Sequence, residues 1–294
     1  MNAALGDYMK KIILLMGVLL FSPISYSKAY QSTQVEFASR GTTLSGSIVI
    51  PAQGKVRAAV VFVHGSGPQT RNIGIAGKFA EHGVAALVYD KRGVGQSGGE
   101  YESKQSVSEH NISLLADDTI AALNELAKQN AIGDAPVGLV GISQAGWIIP
   151  LAAEKSAAAE ATATVDFMVL WSGPVSRVSE EDIFSKFTAD LDTKEVPSYE
   201  QALKSRTSEY VWPSFLGKDT DPSESLEKLK IPGLWVFGKN DGSIPVDLSI
   251  QRLEKFNKSA YSYDYVLFSR LGHNNIPETF ATVIDWILRR VEQN

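Results

Sequence analysis

Cysteine is missing from all 294 residues, which removes disulfides, thiolate metal sites and cysteine nucleophiles together. Histidine occurs only four times, so imidazole chemistry has few places to reside. Positive charge is not in excess either. A formal net charge of -5 offers phosphate backbones no attraction, and no nucleic-acid partner is expected. No apolar run reaches the roughly 20 residues that span a bilayer, and no repeat, low-complexity tract or charge block interrupts the chain after residue 30. What remains is 44% apolar content, enough for one sizeable core. Any catalysis falls to hydroxyls, carboxylates or imidazoles.

The first thirty residues do not read as part of that core. Lys10 and Lys11 precede an apolar run from Ile12 to Phe21, and Ser22, Pro23 and small residues follow. This order is that of a secretory signal, with Ser25-Tyr26-Ser27 as the small-x-small stretch that a signal peptidase reads. Cleavage after Ser27 is expected, leaving residues 28–294 as a mature protein that is exported, periplasmic or secreted. A start at Met9 gives a more compact signal. With no cysteine beyond it, neither a lipid anchor nor another stable membrane anchor is expected after cleavage.

Beyond residue 30, strand-like and helix-like segments alternate, the pattern of a mostly parallel sheet flanked by helices. Val35–Phe37 and Leu44–Ile50 read as an opening antiparallel hairpin. Ala58–Val63, Val84–Tyr89, Val137–Val140, Val165–Trp171, Leu234–Phe237 and Tyr265–Phe268 read as buried strands. Helical spacing is clearest at Ile112, Leu115, Ile120, Leu123 and Leu126, and at Phe280, Val283, Ile284, Ile287 and Leu288. Residues 175–229 break the rhythm. They are rich in Glu, Asp, Ser and Lys, carry Phe184, Phe187, Tyr199, Tyr210, Trp212 and Phe215, and read as a helical cap insertion.

The strongest local signal is the run from Val137 to Gly146, a buried strand entering a glycine-flanked serine and then a helix. Such a nucleophile elbow needs a tiny residue two positions before the serine and another two after, because the neighbouring backbone leaves no room. Gly141 and Ala145 meet that demand around Ser143, with alanine standing where glycine is more usual. A serine hydroxyl needs a base, and the base needs a partner that fixes its tautomer. His273 follows the last buried strand and precedes the final helix, on a loop at the carboxyl edge of the sheet. His82 and His110 lie in polar or helical settings that suit solvated or capping roles. Asp241 ends a buried strand in a glycine-punctuated turn, and Asp264 is the weaker candidate because it precedes its strand. The chain order Ser, Asp, His is that of α/β-hydrolases.

A developing oxyanion also needs donors. The backbone N–H of Gln144 is expected to supply one, and Ser66 the other, with Gly67 next in line. His64 would brace this loop. Two further motifs are set aside. Gly93-x-Gly95-x-x-Gly98 fits the dinucleotide pattern but opens no apolar-striped helix. Ser225-x-x-Lys228 lacks the motifs that accompany it in penicillin-binding enzymes. No metal or organic cofactor is implied.

On His64–Pro68 (His-Gly-Ser-Gly-Pro), Tyr89–Ser97 (Tyr-Asp-Lys-Arg-Gly-x-Gly-x-Ser) and Gly141–Gly146 (Gly-x-Ser-Gln-x-Gly), the chain resembles bacterial serine esterases of the α/β-hydrolase superfamily. The likeness runs from about residue 35 to the C-terminus and is weakest in the cap. It implies hydrolysis of a small-molecule carboxylic ester through an acyl-enzyme, and structural roles for Asp90 and Arg92 in buttressing the loop near the active site. An aminopeptidase-like or amidase hydrolase, with Glu180 or Glu181 holding a substrate amine, is the main alternative on the same triad. An acyltransferase is a third, and a catalytically dead binding protein a fourth.

Overall fold

The structure is a computed structural model that describes residues 29–159, 163–259 and 261–292. The expected signal, residues 1–27, lies outside the described residues. Among the described residues one eight-stranded sheet organises the chain, in the order β1-β2-β4-β3-β5-β6-β7-β8. β1 (Tyr30–Ser39) and β2 (Thr42–Pro51) form the expected antiparallel hairpin, and β2 pairs antiparallel with β4 (Val84–Tyr89). From there β3 (Ala58–Val63), β5 (Val137–Ile142), β6 (Phe167–Trp171), β7 (Gly233–Gly238) and β8 (Tyr263–Phe268) all run parallel. The fold is that of an α/β-hydrolase.

The continuous apolar runs of β3, β4, β6 and β7 are explained by burial on both faces, whereas β8, expected as a buried strand, lies at the sheet edge and leaves Leu267 exposed. In β3, Ala59, Val61 and Val63 join one core while Ala58, Val60 and Phe62 join the other, as the period of two requires. Helix α1 (Ile73–Glu81) and the last helix, α8 (Ile276–Glu292), cover the second core through Phe79, Phe280 and Ile284. Helices α2 (Glu109–Ala127), α3 (Ala145–Ala158) and α7 (Val246–Asn257) cover the first through Leu123, Ile148 and Leu253.

Between β6 and β7 the chain leaves the sheet. This insertion contains the helices α4 (Val178–Thr188), α5 (Tyr199–Lys204) and α6 (Pro222–Leu226) and a 3-10 turn at Ser214–Leu216. Its aromatics divide: Phe184 is buried, whereas Phe187 and Phe215 are exposed. Tyr210 donates to Asp182 and Trp212 to the Gly217 carbonyl, so both polar tips are spent inside the insertion.

Candidate active site

The strand β5 delivers Ser143 to the carboxyl rim of the sheet. Its N–H still reaches across to the Trp171 carbonyl at 2.9 Å, extending the parallel ladder one residue beyond the strand. Its φ is +56°, a left-handed conformation that costs a non-glycine residue on the order of 1–2 kcal/mol. The neighbouring glycines show why the sequence is so restricted here. A Cβ on Gly141 would lie 2.5 Å from that of Ala145 and 2.7 Å from the Val63 carbonyl oxygen. One on Gly146 would lie 2.6 Å from the Pro174 nitrogen. The methyl of Ala145 is thus accommodated because Gly141 has none.

The strands β7 and β8 supply the other two candidates. Asp241 lies fully buried in the turn after β7, where Oδ1 accepts from the N–H groups of Ser243 (2.9 Å) and Ile244 (3.2 Å). His273, after β8, points Nδ1 at both carboxylate oxygens, 3.0 Å from Oδ1 and 2.9 Å from Oδ2. Burial by itself would lower the pKa of this imidazole. The hydrogen bond and charge of Asp241, together with Asp192 and Asp190, outweigh burial and raise it above the ordinary 6.5. With Nδ1 engaged by the carboxylate, Nε2 is left as the position for proton uptake.

Ser143 and the His273 loop meet through β6. The residue after Trp171, Ser172, donates its hydroxyl to the His273 carbonyl at 2.8 Å and accepts from Asn275 Nδ2 at 3.1 Å. Ser172 has a positive φ of +44°, like its neighbour across the strand. No hydrogen bond joins the Ser143 hydroxyl to the His273 imidazole among the described residues. In enzymes without substrate such bonds are often long and tighten on binding.

Of the two expected oxyanion donors, Gln144 directly follows Ser143 and Ser66 lies on the loop after β3. Gly65 packs against the end of β5, where an added Cβ would meet the Ile142 carbonyl oxygen at 3.2 Å. Among the described residues the N–H groups of Ser66 and Gln144 have no hydrogen-bond partner. His64 is buried and pushed down to about 4 by burial, so its neutral ring donates from Nε2 to the Tyr89 carbonyl and braces the loop.

Asp90 and Arg92 occupy the structural places that the resemblance implied, but they do not pair with each other. Asp90 accepts from Arg71 and from the Gln96 N–H. Burial raises its pKa, yet these bonds hold the carboxyl below its usual range. Arg92 pairs with the fully buried Asp118. Gly95 sits where a Cβ would be 2.5 Å from Asp90 Oδ2, so these glycines serve a tight loop, and no helix follows them before residue 109. Ser225 and Lys228 both hold Glu154 at the surface. Asp264 is taken by Trp286 and Arg290, while His82 and His110 are exposed.

Two groups that the sequence reading missed, Asp192 and Lys91, stand beside these candidates, together with Glu181, one of the two acids expected to hold a substrate amine. Asp192, in the insertion, accepts from the Gly242 N–H at 3.0 Å through Oδ1 and from the His273 N–H at 2.9 Å through Oδ2. It therefore ties together the two loops that carry Asp241 and His273. Lys91 is buried and reaches from the β4 loop to Gln144. Glu181 is partly buried near Asp190, Asp182 and Asp241, and burial followed by those charges pushes its carboxyl up to about 8. Glu180, by contrast, caps α4 by accepting from Arg177 N–H and pairs with Arg252, so it has no free role. Nothing local in the sequence marks Asp192 or Lys91 as special.

Comparison with known proteins places this arrangement. Among solved structures, the chain is similar to an esterase of Pyrococcus furiosus, with 17% identity, a TM-score of 0.62, and coverage of 89% of this chain and 91% of that one. It is also similar to the acylaminoacyl peptidase of Pyrococcus horikoshii, with 17% identity and a TM-score of 0.62 over 97% of this chain but 43% of that one. A cold-adapted esterase from an Arctic intertidal metagenomic library has 15% identity and a TM-score of 0.59, with 90% and 96% covered. At these identities the likeness speaks to the fold. No curated protein matches the sequence. The profile of the family described as serine aminopeptidase, S33, matches residues 54–213, more than half of the chain and inclusive of Ser66, Lys91, Ser143 and Gln144. The chain belongs to this family of α/β-hydrolases, and it is a serine hydrolase.

Proposed function

We propose that the protein is an exported esterase that cleaves small-molecule carboxylic esters through an acyl-enzyme on Ser143. The observation that carries the reading is the His273 imidazole held by both oxygens of a buried Asp241 at the rim where Ser143 emerges. In this mechanism His273 Nε2 takes the hydroxyl proton as Ser143 Oγ attacks the ester carbonyl. The carbonyl oxygen becomes an oxyanion, stabilised by the N–H groups of Gln144 and Ser66. The protonated imidazole then gives its proton to the departing alkoxide, and the C–O ester bond breaks to leave an acyl-serine. Water, deprotonated by the same imidazole, attacks that acyl group and regenerates Ser143. Asp241, bonded to Nδ1 through both oxygens, fixes the Nδ1–H tautomer.

The experiment is hydrolysis of p-nitrophenyl acyl esters set against aminoacyl amides, with fluorophosphonate labelling located by peptide mapping. Label on Ser143 with ester turnover supports the reading. Label on another serine overturns the assigned nucleophile.

Glu181 favours a second reading, an aminopeptidase. Its carboxyl lies in the insertion close enough to Asp241 to feel its charge, and a bound substrate ammonium would draw its proton off and pair with it. Turnover confined to substrates with a free α-amine, abolished by Glu181→Gln, selects this reading over the ester one. Export rests on the first 27 residues. N-terminal sequencing of the extracytoplasmic protein is expected to begin at Lys28, and an intact Met1 or Met9 start overturns it.

A further inference from the structure

The buried lysine at the end of β4 is not accounted for by the triad. Lys91 is 4% exposed, and no carboxylate pairs with its ammonium among the described residues. Its Nζ instead donates to the Gly65 carbonyl at 2.8 Å, the Gln144 Oε1 at 2.9 Å and the Gly67 carbonyl at 3.3 Å. Three N–H groups meet three neutral acceptors. Burying an ammonium without a counter-charge is costly, and an apolar side chain of similar size would fill the space more cheaply. The choice of acceptors suggests what the charge does. All three belong to the two short segments that carry the candidate oxyanion donors.

The covalent geometry makes the link specific. The Gly65 carbonyl and the Ser66 N–H belong to one planar trans peptide, in which the two groups point in opposite directions. Anchoring that carbonyl on Lys91 therefore fixes where the Ser66 N–H aims. It also polarises the peptide, which strengthens the N–H as a donor. On the other side, Gln144 is held through its side chain, with Oε1 on Lys91 and Nε2 donating to the Ser106 carbonyl at 2.8 Å. The main chain of Lys91 adds a third tie, since its N–H donates to the Gln69 carbonyl at 3.0 Å while Gln69 Nε2 donates to the Ser66 carbonyl at 2.7 Å. The free N–H groups of Ser66 and Gln144 are thus both set by one ammonium.

We propose that Lys91 is a positioning residue for the oxyanion hole, clamping the Gly65–Gly67 loop to Gln144 so that two backbone N–H groups converge on the carbonyl oxygen. The inference rests on the esterase reading above. It also gives the clamp a titration. Burial pushes Lys91 down to about 8. The charged and titratable groups around it are otherwise committed: Asp90 to Arg71, Arg92 to Asp118, and His64 to the Tyr89 carbonyl as a neutral ring. The Tyr101 ring lies 5.9 Å from Nζ. Loss of the proton leaves two N–H donors for three acceptors and turns a lone pair toward one of them, so the clamp loosens as pH rises.

The test uses the mature enzyme and p-nitrophenyl ester hydrolysis, with melting temperature followed in parallel. Lys91→Met is expected to lower kcat by about 10-fold to 100-fold, short of the roughly 10²-fold to 10³-fold lost when an oxyanion donor is deleted outright. KM should stay within about threefold. The wild-type decline in kcat/KM above pH ~8 should vanish in Lys91→Met. Gln144→Met, which keeps the backbone N–H and removes both side-chain ties, Oε1 to Lys91 and Nε2 to the Ser106 carbonyl, should lower kcat less, and the double variant should lose less than the product of the two. A Lys91→Met enzyme with wild-type kcat, or with the alkaline decline intact, overturns the clamp. If Lys91→Met does not fold, an unchanged kcat in Gln144→Met overturns it instead. A wild-type enzyme that fluorophosphonate fails to label at Ser143 overturns the esterase reading as well, which separates the two failures.

Discussion

The β5 side of the rim and the β7–β8 side are built by different means. On the β5 side, Ser143 is fixed by its own neighbourhood: a ladder bond to Trp171, a left-handed turn, and glycines at 141 and 146 that let backbone pass within contact. On the β7–β8 side, Asp241 and His273 sit on loops 32 residues apart in sequence that are joined by their own hydrogen bonds and by Asp192 from the insertion. The glycines there answer to the insertion too. A Cβ on Gly272 would lie 1.9 Å from Asp192 Oδ2, and one on Gly242 would lie 2.1 Å from the Leu191 carbonyl oxygen. The contrast teaches that the proposed nucleophile depends on local chain geometry, whereas the proposed base depends on a segment outside the sheet. Substitutions should therefore separate the halves.

The largest losses come where the comparison does not matter, because the chemistry itself is removed. Ser143→Ala is expected to lower turnover by something on the order of 10⁴-fold to 10⁶-fold, without a change in melting temperature beyond a few degrees. Relief of the left-handed strain does not enter, since alanine adopts that backbone no more readily. Asp241→Asn should cost about 10⁴-fold, because an amide can present its NH₂ to Nδ1 and select the wrong tautomer. Turnover within tenfold of wild type in either variant removes that residue from the proposed triad.

Asp192 tests the base side alone. Asp192→Ala removes both acceptors that align the loops of Asp241 and His273, and a misplacement near 1 Å can cost up to about 100-fold. The charge is separable from the bonds. His273 must be neutral to act as base, so activity is present above its pKa and lost as pH falls through it. Because that pKa is raised above 6.5, the wild-type acid limb should lie above pH 6.5. Asp192 is among the charges that raise it, so Asp192→Asn should move the limb to lower pH. A limb that stays in place, with full turnover at the plateau, shows that the insertion does not hold the base.

How far the molecule was legible follows the same division. The strands could be read because burial on both faces demands unbroken apolar runs, and β3, β4 and β6 have them. Ser143 was legible because a strained turn imposes small residues at fixed offsets, which is a pattern in sequence. Asp241 and His273 were found by their places after the strands, and the structure joins them. The helix α7 and the ties made by Asp192 left no such trace. An aspartate in a polar insertion looks the same whether it is solvated or bridging two loops, since its partners lie 50 and 81 residues away. Lys91 was hidden for a related reason: a lysine between Asp90 and Arg92 reads as one more surface charge, and only the fold shows it buried. The insertion reads as a helical cap, and it does hold helices, but which of its side chains reach the loops of Asp241 and His273 depends on packing that spacing does not encode.

The smallest effect belongs to the nucleophile side, at the alanine that stands where glycine is more usual. Ala145 is fully buried at the start of α3, and its methyl occupies the space that Gly141 leaves open. Ala145→Gly should remove one buried methyl and some helix preference, a loss of about 1–2 kcal/mol, read as a drop of a few degrees in melting temperature. The position of Ser143 is set by its ladder bond and by the glycines beside it, so kcat should stay within about threefold. The reciprocal change separates the two causes of crowding. In Gly141→Ala the new methyl meets both Ala145 at 2.5 Å and the Val63 carbonyl oxygen at 2.7 Å. Combining it with Ala145→Gly relieves only the first contact. The double variant should therefore regain part of the lost labelling of Ser143 by fluorophosphonate, and full recovery would show that the strand carbonyl gives way more easily than a parallel ladder should allow.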